Sequence, residues 1–176
     1  MTIAMIAVMI GVPWLGALIV WLVGDSREKL QHWLAVIFSV VAGAASIVLI
    51  PSATSETVVK IPMGGTFGDF TFVPDGLGVF LSVIATVIGC LAVIFSTSYM
   101  KGEASLGRYY AFVLFFIGAM VGLVLTSNLL LIFFFWEITA ICSYALIAFH
   151  NDDPKAVRGG INALIITSVG GVWLLA

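Results

Sequence analysis

Glu137 is the residue in this chain with the strongest claim to chemistry. It stands in "LLLIFFFWEITAICSYALIAFH", positions 129–150, a run that is otherwise almost wholly apolar. At 1.5 Å of helix rise per residue it lies roughly 12 Å below the start of that run. Insertion scales put an ionisable side chain at the centre of a membrane helix at about 2.5–3.5 kcal/mol, and glutamate has a short stem for reaching water. Residues kept at such a cost mark ion or proton sites by default. Helical spacing sets Ala140, Ile141, Tyr144 and Ala148 on the same face as Glu137, with the hydroxyls of Thr139 and Ser143 on flanking faces. The next apolar segment adds Asn162, Thr167 and Ser168, with Gly170 and Gly171 beside them. Tyr144, Ser143, Thr139, Asn162 and Thr167 are therefore candidates for a hydrated path serving a buried Glu137, although each taken singly also fits an ordinary helix contact. No Lys or Arg falls at membrane depth, so a charge partner for Glu137 must come from elsewhere.

Composition says what kind of molecule must position these groups. The chain is 62% hydrophobic and 9% charged, against roughly 25% charged in soluble domains. It reads as an all-α, polytopic membrane protein. A net charge of −2 provides no basic footprint for nucleic acid. Glycine-rich phosphate loops, clustered His/Cys ligands and a nucleophile–base pair are absent from the sequence, so neither cofactor nor metal is expected and a transport subunit is favoured over an enzyme. Cys90 and Cys142 lie inside apolar runs and read as small core residues. His32 and His150 fall at membrane edges and read as interfacial.

Six stretches meet the requirement of about 20 mostly apolar residues for a spanning helix. They cover about 3–23, 30–50, 75–100, 109–126, 129–149 and 154–176. The first lacks the basic flank and cleavage site of a signal peptide and reads as a span. Pro51 stops the second. Asp153 before Pro154 is a good N-cap for the sixth. Trp14, Trp33, Tyr109 and Tyr110 are expected near span ends, in interfacial belts. Gly118 and Gly122 in "GAMVG" lie one turn apart and predict a face that another helix can approach closely. The one long loop, about 52–73, alternates β-branched and aromatic residues around a glycine-rich centre. It predicts a hairpin-like external loop, more a lid over helix ends than a contact for a partner subunit. Asp69 and Asp75 read as turn and cap residues. Two parts are expected: 1–74, two spans plus the loop, and 75–176, the third to sixth spans.

Orientation follows from the basic residues. Arg27, Lys29, Lys101, Arg108, Lys155 and Arg158 follow spans one, three and five, and Lys60 alone follows span two. By the positive-inside rule this predicts an external N-terminus in the cell inner (plasma) membrane, with the loops at Asp25, Glu103 and Asp152 facing the cytoplasm.

The segment "FVLFFIGAMVGLVLTSNLLLIFFFWEITAICSYALIAFH", followed by "GGINALIITSVGG", resembles the antiporter-like membrane subunits shared by respiratory complex I, Mrp-type cation/proton antiporters and membrane-bound hydrogenases. "DGLGVFLSVIATVIGCLAVIFSTSYM" resembles the same family, and within it "GAMVGLVLTSN" and "FFWEIT" look more like the large A subunit of Mrp antiporters. The resemblance implies a helix unit repeated in inverted orientation and a glutamate, matched by Glu137, that pairs with a lysine of a later broken helix beyond Ala176. It implies Na⁺/H⁺ or proton translocation within a multisubunit assembly, with integral membrane subunits and the lipid bilayer as partners. Asn162 stands where the family often carries lysine. Having fewer spans than the family, the chain is expected to be its N-terminal part, as a fragment, a split subunit or a truncated gene product. The rival expectation is a structural assembly subunit of a complex I-like or hydrogenase complex with no transport role of its own.

Overall fold

A computed structural model describes residues 2–24, 27–54, 58–61 and 69–175. The glycine-rich loop centre at 62–68, Asp25 and Ala176 lie outside the described residues. Six helices run in order: α1 (Thr2–Val23), α2 (Glu28–Leu49), α3 (Gly76–Tyr99), α4 (Leu106–Leu125), α5 (Leu129–Ile147) and α6 (Pro154–Leu175). All six are long and apolar enough to cross a membrane, and the protein is multi-pass. Between α2 and α3 lie a 3₁₀ turn, Ile50–Thr54, and two short antiparallel strands, β1 (Val59–Ile61) and β2 (Phe70–Phe72).

Local chemistry explains where three of the helices begin. Asp75 caps α3 by accepting from the Gly78 amide at 2.7 Å. Asn128 caps α5 by accepting from the amides of Leu130 and Leu131, and Asp153 Oδ1 accepts from the Lys155 amide before α6. Each cap satisfies amides that have no partner within the helix. α4 starts earlier than its sequence indicates, at Leu106 rather than Tyr109. Ser105 turns the chain with a left-handed backbone, φ 62°, and the first turn then buries Leu106 and Gly107.

α4 is the hub. It packs against α1, α2, α3 and α5, while α6 packs on α5 alone among the main helix pairings. Residues from both sides of position 74 share the core: Met9, Leu49, Phe72, Leu125 and Phe135 form one cluster, and Val20, Ala35, Val93, Leu114 and Phe149 belong to a second. Close approach to α4 depends on its glycines. A Cβ on Gly118 would lie 2.5 Å from the Trp14 ring of α1, and one on Gly122 would collide with the Phe135 ring of α5. The two glycines thus admit two different helices.

The hairpin covers the α4–α5 turn. Val73 N–H donates to Leu125 O at 2.7 Å and Ser127 N–H to Thr71 O at 3.0 Å. The Thr126 hydroxyl donates to Thr71 O and the Asn128 amide to Asp69 O. The expected belt differs in two places. Trp33 is 68% exposed, but Trp14 lies within the bundle, donating from Nε1 to Phe115 O at 3.2 Å. Tyr110 is wholly buried and bonded to His32. Both have an internal acceptor, so neither needs the interface for its polar tip.

Candidate functional site

α5 and α6 form an antiparallel pair across the short turn that ends at Asp153. Glu137 meets Ser168: the Ser168 hydroxyl donates to Glu137 Oε2 at 3.0 Å. One residue earlier on α5, Trp136 Nε1 donates to Thr167 O at 3.0 Å. Gly171 lies one turn beyond Thr167 and is buried against this pair. A Cβ at Gly171 would sit 2.5 Å from Glu137 Oε1, 3.1 Å from the Trp136 ring and 3.3 Å from Phe133. The absence of a side chain there makes the space the carboxylate occupies. Oε1 is shielded from solvent and has no hydrogen-bond partner among the described residues.

The carboxylate expected to be buried is not a buried residue. Glu137 is half-buried. α5 packs mainly against α4 and α6, with Phe135 also meeting the Trp14 ring of α1, and α6 buries only Gly160 and Gly171. No third helix among those described closes the α5–α6 cleft. Deep placement along a span and burial by protein are separate properties, and Glu137 has only part of the second.

The other candidates take varied positions. Thr139 Oγ1 donates to Trp136 O at 2.7 Å, within its own helix. Thr167 Oγ1 does likewise, to Ala163 O and Leu164 O. Such back-bonding satisfies a hydroxyl inside a membrane helix. Ser143 is half-buried, and Asn162 is exposed on α6. Tyr144 packs at the α5–α6 crossing, where a Cβ on Gly160 would lie 3.1 Å from its ring. It also lines a cleft of about 230 Å³ with Arg108, Phe112, Ala145, Ala148 and Asn151. Of the polar side chains on α6, the structure brings Ser168 to the carboxylate. Nothing in the sequence sets Ser168 apart from Thr167 or Asn162, because the pairing depends on the rotation and register of α6 against α5. Trp136 as the tie between the helices had no signal either, because an indole in an apolar run usually reads as packing.

The arrangement can hold a carboxyl group by one oxygen in an otherwise apolar cleft and leave the other free. It offers no set of three His, Cys, Asp or Glu side chains for a metal ion among the described residues.

Residues 61–110 match the family model described as "NADH-Ubiquinone oxidoreductase (complex I), chain 5 N-terminus", and residues 126–176 match "NADH:quinone oxidoreductase/Mrp antiporter, TM". The Na(+)/H(+) antiporter subunit A1 of Staphylococcus aureus is 36% identical over 131 residues, 68% of this chain. The chain spans 16% of that relative's length. Among solved structures, a chain of the Mrp complex from Dietzia sp. superposes with a TM-score of 0.80 at 24% identity, over 99% of this chain and 18% of that one. A chain of the membrane-bound sulfane sulfur reductase, an archaeal respiratory membrane complex, gives 0.77 at 18% identity, over 97% and 35%. These two likenesses concern the fold. With both family models, the relative and the six-helix architecture in agreement, the chain belongs to the antiporter-like membrane subunit family of complex I and Mrp antiporters and corresponds to its N-terminal portion.

Proposed function

We propose that this chain takes part in proton or Na⁺/H⁺ translocation within a multisubunit membrane assembly, with Glu137 as its protonatable group. The observation that carries the proposal is the carboxylate itself, held in the α5–α6 cleft with one oxygen bonded to Ser168 and the other without a partner among the described residues. A purely structural glutamate in an apolar span is expected to have both oxygens satisfied, because an unmade hydrogen bond is costly in low dielectric. The relative's description as a Na(+)/H(+) antiporter subunit supports the same activity.

In this proposal, 1–74 brace the unit and 75–176 begin the translocating helices. Tyr144, Ser143, Thr139, Asn162 and Thr167 remain the candidate hydrated path, and the partners are other integral subunits of an Mrp-type or complex I-like assembly. The external N-terminus belongs to the proposal too, resting on the distribution of Lys and Arg.

Glu137→Gln tests the function. It is nearly isosteric, so the assembly should form normally, and ion translocation in everted vesicles should fall to a small fraction of wild type. A Gln variant that assembles and translocates at the wild-type rate removes Glu137 from the mechanism and leaves the structural assembly role as the function of the chain.

A further inference from the structure

We propose that Ser168 and Gly171 are positioning residues that make the two oxygens of Glu137 unequal, so that Oε2 is the anchor and Oε1 is the atom that takes up and releases the proton. The inference rests on the proposed role of Glu137 and adds the device that directs it.

The asymmetry is geometric. Ser168 Oγ–H donates to Oε2 at 3.0 Å. Oε1 occupies the space that the missing side chain of Gly171 leaves, 2.5 Å from where a Cβ would stand, shielded from solvent and with no partner among the described residues. The register that creates this pairing is held one residue away, where Trp136 Nε1 donates to Thr167 O at 3.0 Å. Trp136 and Glu137 are consecutive on α5, as are Thr167 and Ser168 on α6. A shift of α6 along α5 would break both bonds together.

The chemistry of a carboxyl group turns this asymmetry into a direction. In the anion, both oxygens accept hydrogen bonds. When a proton from hydronium adds to Oε1, water is released, Oε1 becomes the hydroxyl oxygen and Oε2 becomes the carbonyl oxygen. A carbonyl oxygen still accepts, so the Ser168 bond survives in both charge states. Protonation at Oε2 would instead place two hydrogens against each other and force the serine to turn away. Ser168 therefore steers the proton to Oε1 without having to move. Gly171 supplies the room that this oxygen and its proton occupy. A methyl group there would displace the carboxyl from the cleft.

The test uses the complete membrane assembly containing this chain, with two readouts: ion translocation and the infrared bands of Glu137, identified as those that Glu137→Gln abolishes. Ser168→Ala should shift the Glu137 carboxyl band to higher wavenumber, as a carbonyl does on losing a donor, and lower translocation about tenfold or more. Ser168→Thr should return both towards wild type, which a merely structural loss of packing would not do. Gly171→Ala should move the band and reduce translocation while Glu137 is still present. A Glu137 band left unmoved by Ser168→Ala, or a moved band with wild-type translocation, overturns the positioning role and leaves the role of Glu137 intact. Wild-type translocation by Glu137→Gln overturns both.

Discussion

The phenol oxygen of Tyr110 lies 2.6 Å from His32 Nδ1 and ties α4 to α2 at the end of the bundle that carries the basic residues. On its other side the imidazole meets Glu28, with Nε2 to Oε1 at 3.4 Å. Glu28 Oε1 also accepts from the Gly102 amide, in the turn between α3 and α4, at 3.1 Å. An ionised carboxylate accepts only, so the ring that satisfies all three groups carries its hydrogen on Nε2 and accepts from the phenol at Nδ1. One histidine thus links α2, α4 and, through Glu28, the α3–α4 turn.

Tyr110→Phe should therefore destabilise the protein by about 1 kcal/mol, the usual net value of one hydrogen bond. The ring packing, including the edge contact with Tyr109 at 5.3 Å, is retained. Reversible unfolding in mixed micelles measures the change. A double-mutant cycle with His32→Phe should show that most of it is coupling between the two residues. Equal costs for Tyr110→Phe in the wild-type and His32→Phe backgrounds would show that the bond contributes nothing.

Gly122→Leu should disrupt the packing of α4 on α5 and lower the yield of assembled complex. The Cβ alone would collide with the Phe135 ring, and Phe135 is only 5% exposed, within the cluster that includes Leu125 and Leu131. Overpacking of this kind costs about 1–3 kcal/mol, occasionally more. Adding Phe135→Ala should recover part of the yield by opening the space. Full assembly and activity of Gly122→Leu by itself would count against the close approach.

Single cysteines placed at Lys101 and Lys155, in a background with Cys90 and Cys142 replaced by alanine, report the topology. Both positions are exposed, and both belong to the basic side of the six-to-one Lys/Arg distribution. Impermeant thiol reagents should label them only after the cytoplasmic face is opened. Labelling from outside in intact cells reverses the proposed orientation.

Much of this molecule can be read from one-dimensional pattern. Hydrophobic length specifies six spans because a bilayer demands about 20 apolar residues wherever a helix crosses it. Asp75 and Asp153 mark helix starts because a cap acts within three residues of itself. Glu137 stands out because an ionisable group in an apolar run is conspicuous whatever the fold. Tertiary structure decided what these residues meet. Sequence placed Trp14 and Tyr110 with the interfacial residues, but the Phe115 carbonyl and the His32 ring, both distant in sequence, drew them inside. Hydroxyls at Thr139, Ser143, Thr167 and Ser168 look equivalent along the chain. Only the rotation and register of α6 against α5, held in part by Trp136 and Thr167 O, bring Ser168 to the carboxylate while Thr139 and Thr167 bond to their own helices. Whether Glu137 is enclosed depends on how many helices flank α5. Local sequence carries little trace of that number, because an apolar helix face looks the same whether it meets lipid or protein.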